Sequence, residues 1–175
     1  MTSLFDDLTA DERSGAVISP CGLYRYSLWR MWDKSLPTMC WVMMNPSRAD
    51  ATEDDPTIRR CLGFARAHGC GSISVRNVFA LRATDPAELL KHPDPFGPDN
   101  EEWLLSARGV SPMTILVLGW GARIKRLKEC YKRAAGCLAV AGSPMCFGTT
   151  KDGDPRHPLY LPGNAPLVPW VMPEY

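Results

Sequence analysis

The stretch Thr38-Met39-Cys40-Trp41-Val42-Met43-Met44, followed at once by Asn45-Pro46-Ser47, decides the fold. An almost unbroken apolar run of this length reads as a strand buried on both faces, which requires neighbours in a sheet and helices above and below it. Working back from it, Asp33-Lys34-Ser35-Leu36-Pro37 reads as a turn. Residues 23–32, aromatic and partly alternating, read as the preceding strand. These two strands are expected to form a hairpin. Working forward, residues 45–55 make a polar loop, and Asp55-Pro56-Thr57 opens a helix with Asp as N-cap and Pro at the first helical position. That helix is expected over 56–68, stopping at Gly69, with Ile58, Cys61, Leu62 and Ala65 on its inner face.

The remaining elements follow the same alternation. Strands are expected at 72–79 and 113–118, with a short last one at 145–147. Helices are expected at 86–91, 101–109 and 122–135, the last basic outside and apolar inside at Ile124, Leu127, Cys130 and Tyr131. Apolar strands alternating with helices predict a three-layer α/β/α open sheet, mostly parallel, with an N-terminal antiparallel hairpin. The chain of 175 residues fits one domain over 16–175, preceded by an acidic flexible tail over 1–15.

Seven cysteines form no Cys-x-x-Cys pair, so reduced, mostly buried thiols in a cytoplasmic protein are expected, with no metal and no cofactor. No apolar run approaches the roughly 18 residues of a membrane span, and Met1-Thr2-Ser3-Leu4-Phe5-Asp6-Asp7, without a basic region or an apolar core, is not expected to act as a secretory leader. No membrane partner is expected. The formal charge is +1 but uneven: residues 1–14 carry −3 and residues 121–160 carry +5. The basic window reads either as a solvated helix face or as a phosphate-binding patch.

Sites in open α/β sheets form at the carboxyl ends of strands. That rule selects residues 45–55, 77–82, 120–123 and 149–161. Asn45 in Asn-Pro offers an amide to a water or a substrate edge, or is a plain turn signal. Asn77 is a polar amide where strands rarely carry one, and either faces a site or caps a turn. Asp50, Glu53, Asp54 and Asp55 offer a base or a metal site, or else a helix cap at Asp55 and solvated loop for the rest. Trp120 between glycines walls a pocket or fills core. His157 lies in a loop, Pro155-Arg156-His157-Pro158-Leu159, rather than on an apolar helix face.

The strings Met44-Asn45-Pro46-Ser47-Arg48-Ala49-Asp50, Asp54-Asp55-Pro56-Thr57-Ile58-Arg59-Arg60-Cys61, Asn77-Val78-Phe79-Ala80-Leu81-Arg82-Ala83-Thr84-Asp85-Pro86 and Pro155-Arg156-His157-Pro158-Leu159-Tyr160-Leu161 resemble a family of small bacterial and phage proteins known as a domain of unknown function. More distantly, the order of motifs resembles the uracil-DNA glycosylase superfamily. The matching features are Asn45-Pro46 after the first core strand, Asn77 ending the next, Trp120-Gly121 after a third, and His157-Pro158 in the last loop. Leu159 stands where that superfamily has Ser.

This resemblance implies a uracil-DNA-glycosylase-like fold and hydrolysis of the N-glycosidic bond of a damaged or modified base in DNA, flipped from the stack into a pocket. Asn45 would position the attacking water, with Asp50 or Asp54 as helper, and His157 would stabilise charge on the departing base. Asn77 would read the base edge, with Pro46, Ser47, Phe79 and Trp120 around it. Lys151, Arg156, Arg123 and Lys125 would hold DNA phosphates, and Leu159 or Tyr160 would wedge into the emptied stack. The protein is expected to act as a monomer. The alternatives are a non-catalytic module binding modified DNA and an enzyme processing nucleotides or nucleosides in base-modification metabolism.

Overall fold

The computed structural model describes residues 13–109, 113–122 and 143–172. The basic helix expected at 122–135, with Arg123 and Lys125, lies outside these residues apart from its first position, as does most of the expected acidic tail. Seven strands form one sheet in the order β1-β2-β4-β3-β5-β6-β7. They are β1 Ser14–Ile18, β2 Arg25–Met31, β3 Thr38–Met43, β4 Ser72–Asn77, β5 Thr114–Leu118, β6 Met145–Cys146 and β7 Val168–Pro169. Two α-helices are described, α1 Pro56–Ala67 and α2 Asn100–Leu105. Short 3-10 helices lie at Pro86–Leu90, Ser106–Arg108 and Pro158–Tyr160. Among the described residues no helix is long and apolar enough to cross a membrane.

β3 is the buried central strand that its apolar run predicts, with all six residues buried. Its alternate side chains feed two separate cores. Met39, Trp41 and Met43 pack with Ile58, Cys61, Phe64 and Ala65 of α1. Cys40 and Val42 pack on the opposite face with Leu104 of α2 and Ala107 behind it. Asp55 caps α1 as expected, its Oδ1 accepting from Ile58 N at 2.9 Å. Phe64, rather than the half-buried Leu62, completes the inner face. Cys40, Cys61, Cys70 and Cys146 are buried free thiols, and Cys21 is an exposed one.

Two expectations are corrected. First, the sheet is mixed rather than mostly parallel. β3-β4, β3-β5 and β5-β6 are parallel, while β1-β2, β2-β4 and β6-β7 are antiparallel. The 145–147 segment is also not the last strand, because β7 returns to pair with it.

Second, β2 and β3 do not pair, because β4 lies between them. The reason is local. Trp32 N and Asp33 N both donate to Gly71 O at 2.9 Å, and Gly71 N donates to Pro37 O at 2.8 Å. Gly71 thus enters between the two ends of the 33–37 turn and leads β4 into the gap. The hairpin is instead β1-β2. A Cβ on Gly71 would sit 1.8 Å from Asp33 O. Gly71→Ala is therefore expected to destabilise the fold by about 1–3 kcal/mol or more, read as a lowered urea midpoint with an unchanged slope.

The register of β1 against β2 steps from Val17↔Ser27 to Ile18↔Arg25, passing over Tyr26. This extra residue on β2 is a bulge, which re-aims the side chains beyond it. Tyr26 stacks on Trp103, and Ser27 Oγ accepts from Arg76, both on the α2 face. Arg25 is turned to the α1 face, where Nη1 donates to Ala49 O at 2.7 Å.

Candidate functional site

The parallel strands β3 and β5 end side by side, and a cleft of about 480 Å³ opens there. Its walls come from several separate segments of the chain. Met43, Met44, Asn45 and Ser47 follow β3. Trp120 and Gly121 follow β5. Asp55, Thr57 and Ile58 belong to the first turn of α1. Thr150, Arg156, His157, Leu159 and Tyr160 come from the last loop, and Arg25 joins them from β2.

Asn45 is held by two backbone carbonyls. Its Nδ2 donates to Ala83 O at 2.8 Å and to Pro46 O at 3.0 Å. Both amide hydrogens are thereby spent, which fixes the amide orientation and leaves Oδ1 as an acceptor for the cleft. His157 is half-buried and caps the 3-10 helix Pro158–Tyr160, its Nδ1 accepting from Leu159 N at 3.3 Å. A neutral imidazole whose Nδ1 accepts carries its proton on Nε2. Burial holds His157 below its usual value, against an opposite pull from Asp55. The imidazole is therefore neutral at pH 7 and a donor through Nε2.

The loop carrying His157 is tied at several points. Gly121, at a φ of 77°, donates its N–H to Pro155 O at 2.8 Å and allows a close pass beneath the His157 Cβ. Arg60 of α1 donates to Pro158 O at 3.4 Å and to Leu161 O. Arg156 Nη2 donates to Tyr160 O at 3.0 Å. The Tyr160 ring is 74 % exposed, 5.8 Å from the imidazole centroid, and Leu159 beside it is 40 % exposed.

The structure brings together Asn45, Ser47, Trp120, Arg156, His157, Leu159 and Tyr160 of the residues singled out from sequence. It does not bring the others to the cleft. Asn77 ends β4 with a fully buried side chain whose Oδ1 and Nδ2 find no hydrogen-bond partner among the described residues. Phe79 is core, and Pro46 is buried and absent from the cleft lining. Asp50 is taken up by its own turn, Oδ1 accepting from Thr52 N and Glu53 N at 2.9 Å, which hold its carboxyl below the usual range. Asp54 pairs with Arg30 at 3.0 Å. Lys151 is exposed beyond the rim.

Sequence reasoning missed two contributors and left a third undecided. Asp55, which the sequence offered either as a base or as a helix cap, caps α1 and is also the carboxylate in the cleft wall among the described residues. Arg60 carries the His157 loop. Arg25 is hidden by strand parity, because without the bulge it would share a face with Ser27. The only sequence signal for it was a charge inside an aromatic strand.

An α/β protein with a mixed sheet, and a polar cleft at the carboxyl ends of its central parallel strands, is the class that fold and site define. The chain belongs to the family described as protein of unknown function (DUF1643), whose model matches residues 25–159. The match begins at Arg25 and runs through His157 to Leu159, so it takes in the whole cleft wall except Tyr160. No curated protein and no solved structure matches the chain.

Proposed function

We propose that this protein hydrolyses the N-glycosidic bond of a damaged or modified base in DNA, as the resemblance of its motifs to the uracil-DNA glycosylase superfamily implies. One observation carries the reading. The Asn45 amide oxygen and the neutral His157 donor, 112 positions apart in the chain, line one cleft with a volume in the range of small-ligand sites.

The transition state of such a reaction is cation-like at the sugar and negative on the leaving base. Water held by Asn45 Oδ1 adds its oxygen to C1′ as the C1′–N bond breaks. The bond pair leaves with the base, and its charge is met at a base carbonyl by His157 Nε2–H. A neutral imidazole suits this role, because it donates without releasing a full proton. The water proton passes to Asp55, and solvent protonates the freed base. Trp120 and Tyr160 supply flat apolar wall, Leu159 and Tyr160 stand at the rim to fill the vacated stack, and Arg156 at the rim and Lys151 beyond it are exposed for phosphates.

Incubation with oligonucleotides carrying varied modified bases is expected to produce abasic sites on at least one. DNA binding with no abasic product on any would reject the reading. The pH profile supplies a further expectation. Protonating His157 converts Nδ1 to a donor and breaks its cap to Leu159 N, so base release should fall as pH drops through a value below 6.5. In His157→Ala that acid limb should disappear from the profile.

A further inference from the structure

Three arginines of the sheet are almost wholly enclosed, and two of them are satisfied. Arg30 donates to Asp54, Asp50 O and Trp29 O. Arg76, 1 % exposed, donates to the Ser27 and Ser74 hydroxyls and to Trp103 O, with its guanidinium 5.1 Å over the Trp103 ring. Arg25 is also 1 % exposed, but Ala49 O is the one hydrogen-bond acceptor of its guanidinium among the described residues, and its buried Nε has none. No carboxylate lies within ion-pairing distance of it among the described residues; Asp55 acts on it only through space, against Arg82 and Arg30 of like charge. Burial pushes it down to about 10, so it remains a cation at neutral pH. Enclosing an unpaired cation is unfavourable, and the bulge at Tyr26 points this one at the cleft.

The first turn of α1 meets the same floor. Pro56 has no N–H, and Asp55 takes up that of Ile58. Thr57, which lines the cleft, therefore holds the first-turn N–H without an intrahelical acceptor, at the positive end of a 12-residue helix.

We propose that the cleft floor is an anion subsite in which the Arg25 guanidinium and the Thr57 N–H hold a phosphate or carboxylate oxygen of the ligand. This rests on the cleft being the substrate site and adds that the substrate carries an anionic group into it. Arg156 is exposed at the rim and Lys151 beyond it, so an anion reaching Arg25 is a separate group from the outer phosphates. It is either a substituent on the base or the phosphate of a free nucleotide. Asp55 lines the same cleft and opposes an anion that does not reach Arg25.

The test is a titration of the full chain with inorganic phosphate, acetate, thymidine and thymidine 5′-monophosphate, followed through the Arg25 Nε–H resonance and by calorimetry. Saturable movement of that resonance at millimolar phosphate or acetate is expected. The monophosphate should bind about 10–100-fold more tightly than thymidine, the range of one charged hydrogen-bonded contact. In Arg25→Gln that preference should shrink to about twofold. If the variant does not fold, the wild-type resonance still decides.

Acetate favoured over phosphate assigns the anion to a base carboxylate, and phosphate favoured assigns it to a nucleotide. An unmoved resonance, or equal binding of thymidine and its monophosphate together with acetate failing to bind, overturns the subsite. Base release from oligonucleotides is assayed separately. Anion binding without base release removes the glycosylase reading alone, and base release without anion binding removes the subsite alone.

Discussion

His157→Ala is expected to lower the rate of base release by about 10²–10³-fold, the usual loss for one preorganised donor facing a developing anion. The same substitution removes the Nδ1 acceptor from Leu159 N, a loss of about 1 kcal/mol at a helix start. These effects separate in measurement. Urea unfolding reads the cap, whereas single-turnover base release reads the donor. The loop should keep its place in the variant, because Arg60 and the Gly121 N–H hold it by backbone contacts that do not involve the imidazole. A rate loss no larger than the stability loss would leave His157 as a capping residue only.

Trp41→Ala is expected to cost about 3–5 kcal/mol, a large part of the stability of a domain this size. The indole is fully buried in the middle of β3. It stacks at 5.5 Å on Phe147 and meets Phe64 of α1 at 6.1 Å, and the backbone of Gly119 passes against its ring. One side chain therefore joins the central strand, the covering helix and the β6 end that leads to the His157 loop. Its removal leaves a cavity that neighbours on three elements cannot close together. Chemical denaturation measures the loss, and a change below about 1 kcal/mol would mean that the core collapses around the gap.

Much of the fold was legible because it rests on local rules. The apolar run at 38–44 gave β3, and Asp55-Pro56 and Gly69 bounded α1 to within a residue or two. Strand pairing was not legible. Nothing in the 33–37 turn shows that Gly71, far along the chain, will hydrogen-bond into it and separate β2 from β3. The mixed sheet follows from that insertion and from β7, whose two residues carry no periodic signal.

At the site, motif order led to Asn45 and His157, and both reach the cleft. Asn77 does not, because the side chain of a polar residue at a strand end turns inward or outward according to pleat parity, and here it turns into the core. The acidic run 50–55 was ambiguous for a similar reason. Four acids were available, and only their partners in the fold separate the turn-former Asp50, the ion-paired Asp54 and the cleft-facing Asp55. Arg25 needed the bulge, which moves a residue to the opposite face without a mark in the sequence.

The most direct measurement is nitrogen NMR of the His157 ring and the Asn45 side-chain amide during titration with nucleobases at neutral pH. A neutral His157 with its proton on Nε2 is expected before addition, and both resonances should move together, with one affinity, as a base enters. A proton on Nδ1, or an Asn45 amide that stays still while the imidazole moves, would contradict a shared cleft acting on one ligand.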